Sequence, residues 1–71
     1  MKFERLRLLR KEKGNTQQDI GDLLGMNQTI YSRYERGFQI IPLQHLLKLA
    51  DYYGVSIDYI VGRTDNPEIN Q

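Results

Sequence analysis

Five of the six glycines divide the chain into stretches that each have the length of a short helix. Each follows a segment in which apolar residues recur three or four positions apart, the spacing that places them on one helix face. Glycine is common directly after a helix because it readily adopts the left-handed conformation that ends one. The positions are Gly14, Gly25, Gly37, Gly54 and Gly62. Since no segment alternates polar and apolar residues as a strand does, the pattern predicts an all-α fold of five short helices.

Several of the predicted helices have recognisable first residues. The first helix runs from about Lys2 to Lys13, and Thr16 with Asp19 resembles a capping box at the start of the second. Asn27 and Ser56 suit the N-cap of the third and fifth helices, and Pro42 suits the first turn of the fourth. The predicted core positions are Leu6, Leu9, Ile20, Leu23, Leu24, Ile30, Tyr31, Tyr34, Leu43, Leu46, Leu47, Ala50, Tyr53, Ile57, Ile60 and Val61.

Length and composition exclude several classes of protein. A chain of 71 residues is too short for two ordinary domains, and we predict one domain over residues 1–62 and a polar tail over residues 63–71. There is no cysteine and one histidine, His45, so neither a disulfide nor a metal site is expected. No apolar run approaches the roughly 18 residues of a membrane span. The charged start lacks the apolar stretch of a signal peptide, which indicates a cytoplasmic protein.

Catalytic motifs are missing as well. The serines, Ser32 and Ser56, do not lie in a nucleophile-elbow pattern, and the chain has no glycine-rich phosphate loop. We therefore expect no enzyme, no cofactor and no small-molecule ligand.

Basic residues are concentrated at the start of the chain. Residues 1–14 hold six lysines and arginines against two glutamates, whereas residues 38–71 hold two against four acidic residues. Such asymmetry suggests an electric field that steers an anionic partner. A solvated helix face explains the charges equally simply, and charge alone favours that interpretation.

Residues 16–37 have the organisation of a helix-turn-helix unit. Two predicted helices are separated by Gly25-Met26-Asn27, a turn short enough to set them at a steep angle. Gly21 would face the crossing point, where a small side chain permits close approach. Such a unit leaves the opposite face of its second helix free to enter a DNA groove about 12 Å wide.

At these residues the sequence resembles the phage repressor and Cro family of XRE-type helix-turn-helix regulators. The resemblance covers roughly residues 5–61 and implies a five-helix, lambda-repressor-like DNA-binding domain. Its marks are Leu9-Arg10, Thr16-Gln17, Leu24-Gly25, the stretch Tyr31-Ser-Arg-Tyr-Glu-Arg-Gly37, and Leu49-Ala50. The chain departs from the family at Gly21, where alanine is usual and glycine costs about 1 kcal/mol of helix stability. It also departs at Tyr31, which often is aliphatic.

The resemblance implies a set of DNA contacts on the second and third helices. The residues expected to contact bases are Gln28, Thr29, Ser32 and Arg33, and those expected to contact phosphates are Gln17 and Asn27. Glutamine pairs with adenine and arginine with guanine through two hydrogen bonds each, so Gln28 and Arg33 are the principal expected readers. The plainer alternative is that these side chains form a polar, solvent-exposed face.

The family pattern also implies an ion pair between Arg10 and Glu35 that fixes the third helix without reading bases. We expect the protein to be a homodimeric repressor that reads an inverted repeat in double-stranded DNA. The expected dimer surface is the last helix and its flanks, with Val55, Tyr59, Ile60 and the less favoured Leu8 as candidates.

Two questions stay open. The alternative function is that of a protein-interaction module, such as an antitoxin-like partner with the same fold. The apolar segment 38–41 either covers the core or presents backbone N–H groups to a phosphate.

Overall fold

The structure is a computed structural model that describes residues 3–68, and within that range it contains helices and no strand. The helices are α1 (Glu4–Glu12), α2 (Gln17–Leu24), α3 (Gln28–Glu35), α4 (Leu43–Tyr53) and α5 (Ile57–Ile60). The predicted all-α class is therefore confirmed, and all five helix-ending glycines have positive φ angles. Residues 1–2 of the predicted first helix and residues 69–71 of the predicted tail lie outside the described residues.

The chain divides after Ile40 into two compact units. The first unit holds α1, α2 and α3; α2 packs extensively against α3, and α1 also contacts α3. Its buried residues are Leu6, Arg10, Ile20, Gly21, Leu24, Tyr31, Tyr34 and Glu35. The helix-turn-helix unit therefore lies wholly within this first unit. The predicted domain boundary at residue 62 stays a prediction.

The starts of α2 and α3 are capped as the sequence predicts. The Asp19 N–H donates to Thr16 Oγ1 over 3.1 Å, and the Thr16 N–H donates to Asp19 Oδ2 over 2.9 Å. Asn27 Oδ1 accepts from the Ile30 N–H over 2.9 Å. These bonds satisfy N–H groups that have no partner inside the helix, so both helices begin at defined residues.

Two glycines shape the turn between α2 and α3. Gly25 ends α2 with a φ of 73°, a conformation that glycine adopts without steric cost. Gly21 lies against the turn itself, because a Cβ atom at this position would stand 2.9 Å from the carbonyl oxygen of Met26. The predicted close approach at Gly21 is thus confirmed.

Gly21→Ala is expected to destabilise the protein although it improves helix propensity. Alanine in a helix is favoured over glycine by about 1 kcal/mol. Overpacking typically costs about 1–3 kcal/mol, and here the obstructing atom belongs to the backbone and has little freedom to move. We expect a net loss of up to about 2 kcal/mol, measured by urea unfolding. An increase in the free energy of unfolding would show that the turn adjusts without cost.

The second unit holds α4 and α5, which pack on each other. Its buried residues are Ile41, Leu49, Ala50, Val55 and Ile60. The core stripe predicted for α4 is partly wrong, because Leu43 and Leu47 are exposed whereas Leu49 is buried. Ser56 caps α5 as predicted, accepting from the Tyr59 N–H over 3.0 Å.

The residues after α5 make defined hydrogen bonds. The Ser56 N–H donates to the Pro67 carbonyl over 3.0 Å, and Thr64 Oγ1 accepts from the Asn66 N–H over 3.1 Å. The described part of the predicted tail therefore folds back to the start of α5. None of the helices in residues 3–68 is long and apolar enough to cross a membrane.

Candidate nucleic-acid interface

Helix α3 has one buried face and one outward face. The buried residues are Tyr31, Tyr34 and Glu35. The side chains expected to contact bases occupy other positions: Gln28, Thr29 and Arg33 are exposed and Ser32 is half-buried. Because residues three and four apart are neighbours on a helix, these four lie together on one side. The structure therefore brings together the polar residues that the sequence singled out on α3.

Arg10 and Glu35 form the expected pair between α1 and α3. Arg10 Nε donates to Glu35 Oε2 over 2.7 Å, and Arg10 Nη2 donates to Oε1 over 3.3 Å. Both side chains are about nine-tenths buried or more. Arg10 Nη1 also donates to the Asn15 carbonyl over 3.0 Å, so the guanidinium contacts α1's C-terminal loop as well. The two bonds to one carboxylate fix the position of α3 against α1.

A line of hydrogen bonds continues from this ion pair to the outward face of α3. Gln17 Nε2 donates to Glu35 Oε1 over 3.4 Å, and Gln28 Nε2 donates to Gln17 Oε1 over 3.2 Å. An ionised carboxylate only accepts, so it requires the amide nitrogen of Gln17 and turns the amide oxygen of Gln17 toward Gln28. The buried carboxylate thereby sets the orientation of both glutamine side chains.

A hollow of about 320 Å³ lies beside Gln17. It is lined by Glu4, Arg7, Gln17, Glu35 and Arg36. The sequence argument identified Gln17 here but missed Arg7 and Arg36, since their proximity to Gln17 depends on how the helices pack. The Arg36 guanidinium lies 4.8 Å from the centre of the Phe38 ring. This part of the first unit therefore combines two cationic side chains with an amide donor.

The start of α2 carries a negative charge next to this hollow. The backbone N–H of Thr16 donates to the Asp19 carboxylate and holds the pKa of that group below its usual value. Asp19 is therefore ionised at neutral pH, in the first turn of α2. Because the carboxylate opposes the positive end of the helix dipole, an anion at Gln17 must rely mainly on side-chain donors.

Two of the expected dimer residues do not lie on the surface. Val55 and Ile60 are buried within the chain itself, and their selection as surface candidates was wrong. Tyr59 is half-buried and Leu8 is exposed. In segment 38–41 only Ile41 is buried, so most of this segment does not cover the core.

Comparison with known proteins gives a consistent result. The family model for helix-turn-helix matches residues 6–60. The chain is similar to the uncharacterized HTH-type transcriptional regulator YobD of Bacillus subtilis, at 40% identity over 96% of this chain and 61% of the relative. It is also similar to AnsR, an HTH-type transcriptional regulator of the same species, at 38% identity over 89% of this chain and 54% of the relative.

A relative from another organism points the same way. The cryptic phage CTXphi transcriptional repressor RstR of Vibrio cholerae is 38% identical over 84% of this chain and 54% of its own length. The chain thus spans only about half to three-fifths of the curated relatives that it matches. No solved structure gives a significant match.

Proposed function

This chain belongs to the XRE-type helix-turn-helix family, and from that premise we propose that it binds double-stranded DNA and regulates transcription. We propose further that it is a homodimeric repressor that reads an inverted repeat through the major groove. The observation that carries the proposal is the outward face of α3, whose first residue is held by a line of hydrogen bonds from the buried Arg10–Glu35 pair. A face that only meets solvent has no need of such support.

The composition of the outward face suits base recognition. The major groove is about 12 Å wide and admits a helix. Arg33 is exposed, and its guanidinium can donate two parallel hydrogen bonds to guanine O6 and N7. Thr29 and Ser32 can exchange hydrogen bonds with base edges, and the Thr29 methyl group can contact the methyl group of thymine. We assign base contacts to these three residues and to Gln28.

The orientation of Gln28 matches adenine. Its Nε2 donates one N–H to Gln17, which leaves one N–H and the whole amide oxygen for a ligand. Adenine offers N7 as an acceptor and N6 as a donor in the major groove. The remaining groups of Gln28 complement both, so its support by Gln17 favours adenine over the other bases.

Gln17 and Asn27 retain donors for phosphates. Gln17 gives one amide N–H to Glu35 and keeps a second one, whereas the Asn27 amide oxygen caps α3 and leaves its NH₂ group available. Phosphate contacts of this type set the register of a protein on DNA without reading sequence. We assign this role to both residues.

The homodimer follows from the small size of the interface. One α3 reads only a few base pairs, whereas two copies related by a twofold axis read half-sites about 34 Å apart. Among the apolar residues considered for the dimer surface, Leu8 is exposed and Tyr59 is half-buried. The repressor activity is proposed because one relative of this chain carries the name of a repressor.

Gln17→Ala is expected to weaken DNA binding by at least about tenfold, since hydrogen bonds that involve a charged group contribute about 1.5–3 kcal/mol. Preference for adenine at the Gln28 position should fall with it, because Gln28 loses the partner that orients its amide. Gln18→Ala is the matched control, since Gln18 is an exposed neighbour whose amide bonds to Asp22. Equal affinities of both variants and the wild type in fluorescence titrations would exclude a role for Gln17.

The direct test of DNA binding is a titration of a labelled duplex at several salt concentrations. Binding should weaken linearly on a logarithmic scale, with a slope of about −0.9 for each phosphate neutralised. If the folded protein shows no affinity for duplex DNA at low salt, the DNA-binding proposal fails and the protein-interaction module becomes the better account.

A further inference from the structure

Phe38 is an aromatic residue without a place in the core. Its side chain is 70% exposed, although burial of an aromatic ring is among the larger stabilising contributions available to a small domain. Its ring instead lies under the guanidinium of Arg36, at 4.8 Å from the ring centre. A cation over an aromatic face is attracted by the electrons of the ring.

The backbone at the end of α3 fixes the position of Phe38. The Gly37 N–H donates to the Tyr34 carbonyl over 3.1 Å, and the Phe38 N–H donates to the Arg33 carbonyl over 2.9 Å. Gly37 has a φ of 77°. These two bonds and the left-handed residue form a Schellman motif, which ties the residue after the glycine to the last turn of the helix. Phe38 is therefore attached to the helix that carries the reading residues.

Arg36 belongs to the hollow beside Gln17. It lines this hollow together with Arg7 and with two glutamates, Glu4 and Glu35. The charge of Glu35 is compensated by the two hydrogen bonds from Arg10. The hollow therefore retains cationic character from Arg7 and Arg36, next to the amide of Gln17.

We propose that Arg36 binds a phosphodiester oxygen of the DNA backbone, and that Phe38 is a positioning residue that holds the Arg36 guanidinium at the hollow. The inference rests on the proposed function, because it requires that the chain binds DNA. An arginine that is already held in place loses less conformational freedom on binding than a free side chain does. Arg36 follows the last turn of α3, whereas the proposed base-reading residues lie between Gln28 and Arg33. The proposed contact is thus independent of base sequence.

The test uses the full 71-residue chain and a labelled random-sequence duplex of fixed length, titrated at several NaCl concentrations. The variants are Arg36→Ala, Phe38→Ala, the double variant, and Phe38→Tyr, which keeps an aromatic ring. Ile40→Ala is the control, because Ile40 is a neighbouring apolar residue that is 92% exposed. Thermal unfolding of each variant checks that the fold is retained.

We expect Arg36→Ala to make the salt slope shallower by about 0.9, the value for one phosphate contact. Phe38→Ala should weaken binding by about two- to fivefold, the range that an exposed cation–π contact contributes. It should weaken binding no further in the Arg36→Ala background. Phe38→Tyr and Ile40→Ala should bind as the wild type does.

Two results would overturn the inference while the proposed function stands. One is wild-type DNA binding with an unchanged salt slope in Arg36→Ala. The other is a loss from Phe38→Ala that is equally large with and without Arg36, because Phe38 would then act separately. Absence of DNA binding by the folded wild type would overturn both the inference and the proposed function.

Discussion

Replacing Glu35 with alanine is expected to lower the free energy of unfolding by about 3–5 kcal/mol, the usual cost of removing one partner of a buried ion pair. Arg10 would keep its charge in a site where its side chain is 10% exposed, without the two bonds it now donates to Glu35. For a domain of this size, each kcal/mol shifts Tm by about 4–8 °C. Thermal unfolding followed by circular dichroism should therefore show a decrease of at least about 12 °C.

The chain offers a matched control in Asp58, which pairs with Arg63 at 4.0 Å with both side chains mostly exposed. Asp58→Ala should change stability by less than about 0.5 kcal/mol, because an exposed ion pair contributes little. The double substitution Arg10→Met with Glu35→Leu should recover most of the loss, since apolar pairs replace buried ion pairs well. If Glu35→Ala costs no more than Asp58→Ala, the ion pair does not hold α3 in place.

Arg33→Ala is expected to remove sequence preference at one base pair of each half-site while the fold stays intact. Arg33 is exposed, so its removal leaves no cavity, whereas a two-bond contact to guanine discriminates by about 1–3 kcal/mol. Affinity for the preferred site should fall by about 5- to 150-fold, and the four possible base pairs at the affected position should become nearly equivalent. Competition titrations with single-base-pair variants of the site measure this directly.

Lys48→Ala serves as the control for charge alone, because it also removes one exposed cation, from α4 in the second compact unit. It should leave every base preference unchanged. If Arg33→Ala weakens binding equally on all sequences, Arg33 contacts a phosphate rather than a base. Full retention of wild-type preference at every position would remove Arg33 from the set of reading residues.

Features that depend on a few consecutive residues were predicted well from the sequence. The capping box of Thr16 and Asp19 and the caps at Asn27 and Ser56 are all present. Each of these bonds joins atoms within three residues, so the local sequence suffices to specify it. The left-handed glycines were predictable for the same reason.

The core face of α4 was not determined by its pattern. Apolar residues are so frequent between Leu43 and Tyr53 that two stripes with helical spacing overlap, one of which includes Leu43 and Leu47 and the other Leu49. The structure buries Leu49 and leaves the other two exposed. Periodicity identifies the face of a helix only where polar residues mark the opposite side. The same ambiguity made Val55 and Ile60 appear suitable for a dimer surface.

Contacts between distant residues needed either a family resemblance or the structure. The Arg10–Glu35 pair joins residues 25 positions apart, and only the family pattern indicated it. The Gln28–Gln17 bond depends on the crossing of α2 and α3. The Arg36–Phe38 contact requires the reversal of the backbone at Gly37. None of these contacts has a periodic signature in the sequence.

The most direct test of the central claim is selection of binding sites from a random pool of duplex DNA at near-physiological salt. The account predicts enrichment of an inverted repeat whose half-site centres lie about one helical turn apart, roughly 34 Å. Each half-site should contain an adenine and a guanine for Gln28 and Arg33. Failure of folded protein to enrich any sequence would contradict the claim that α3 reads DNA.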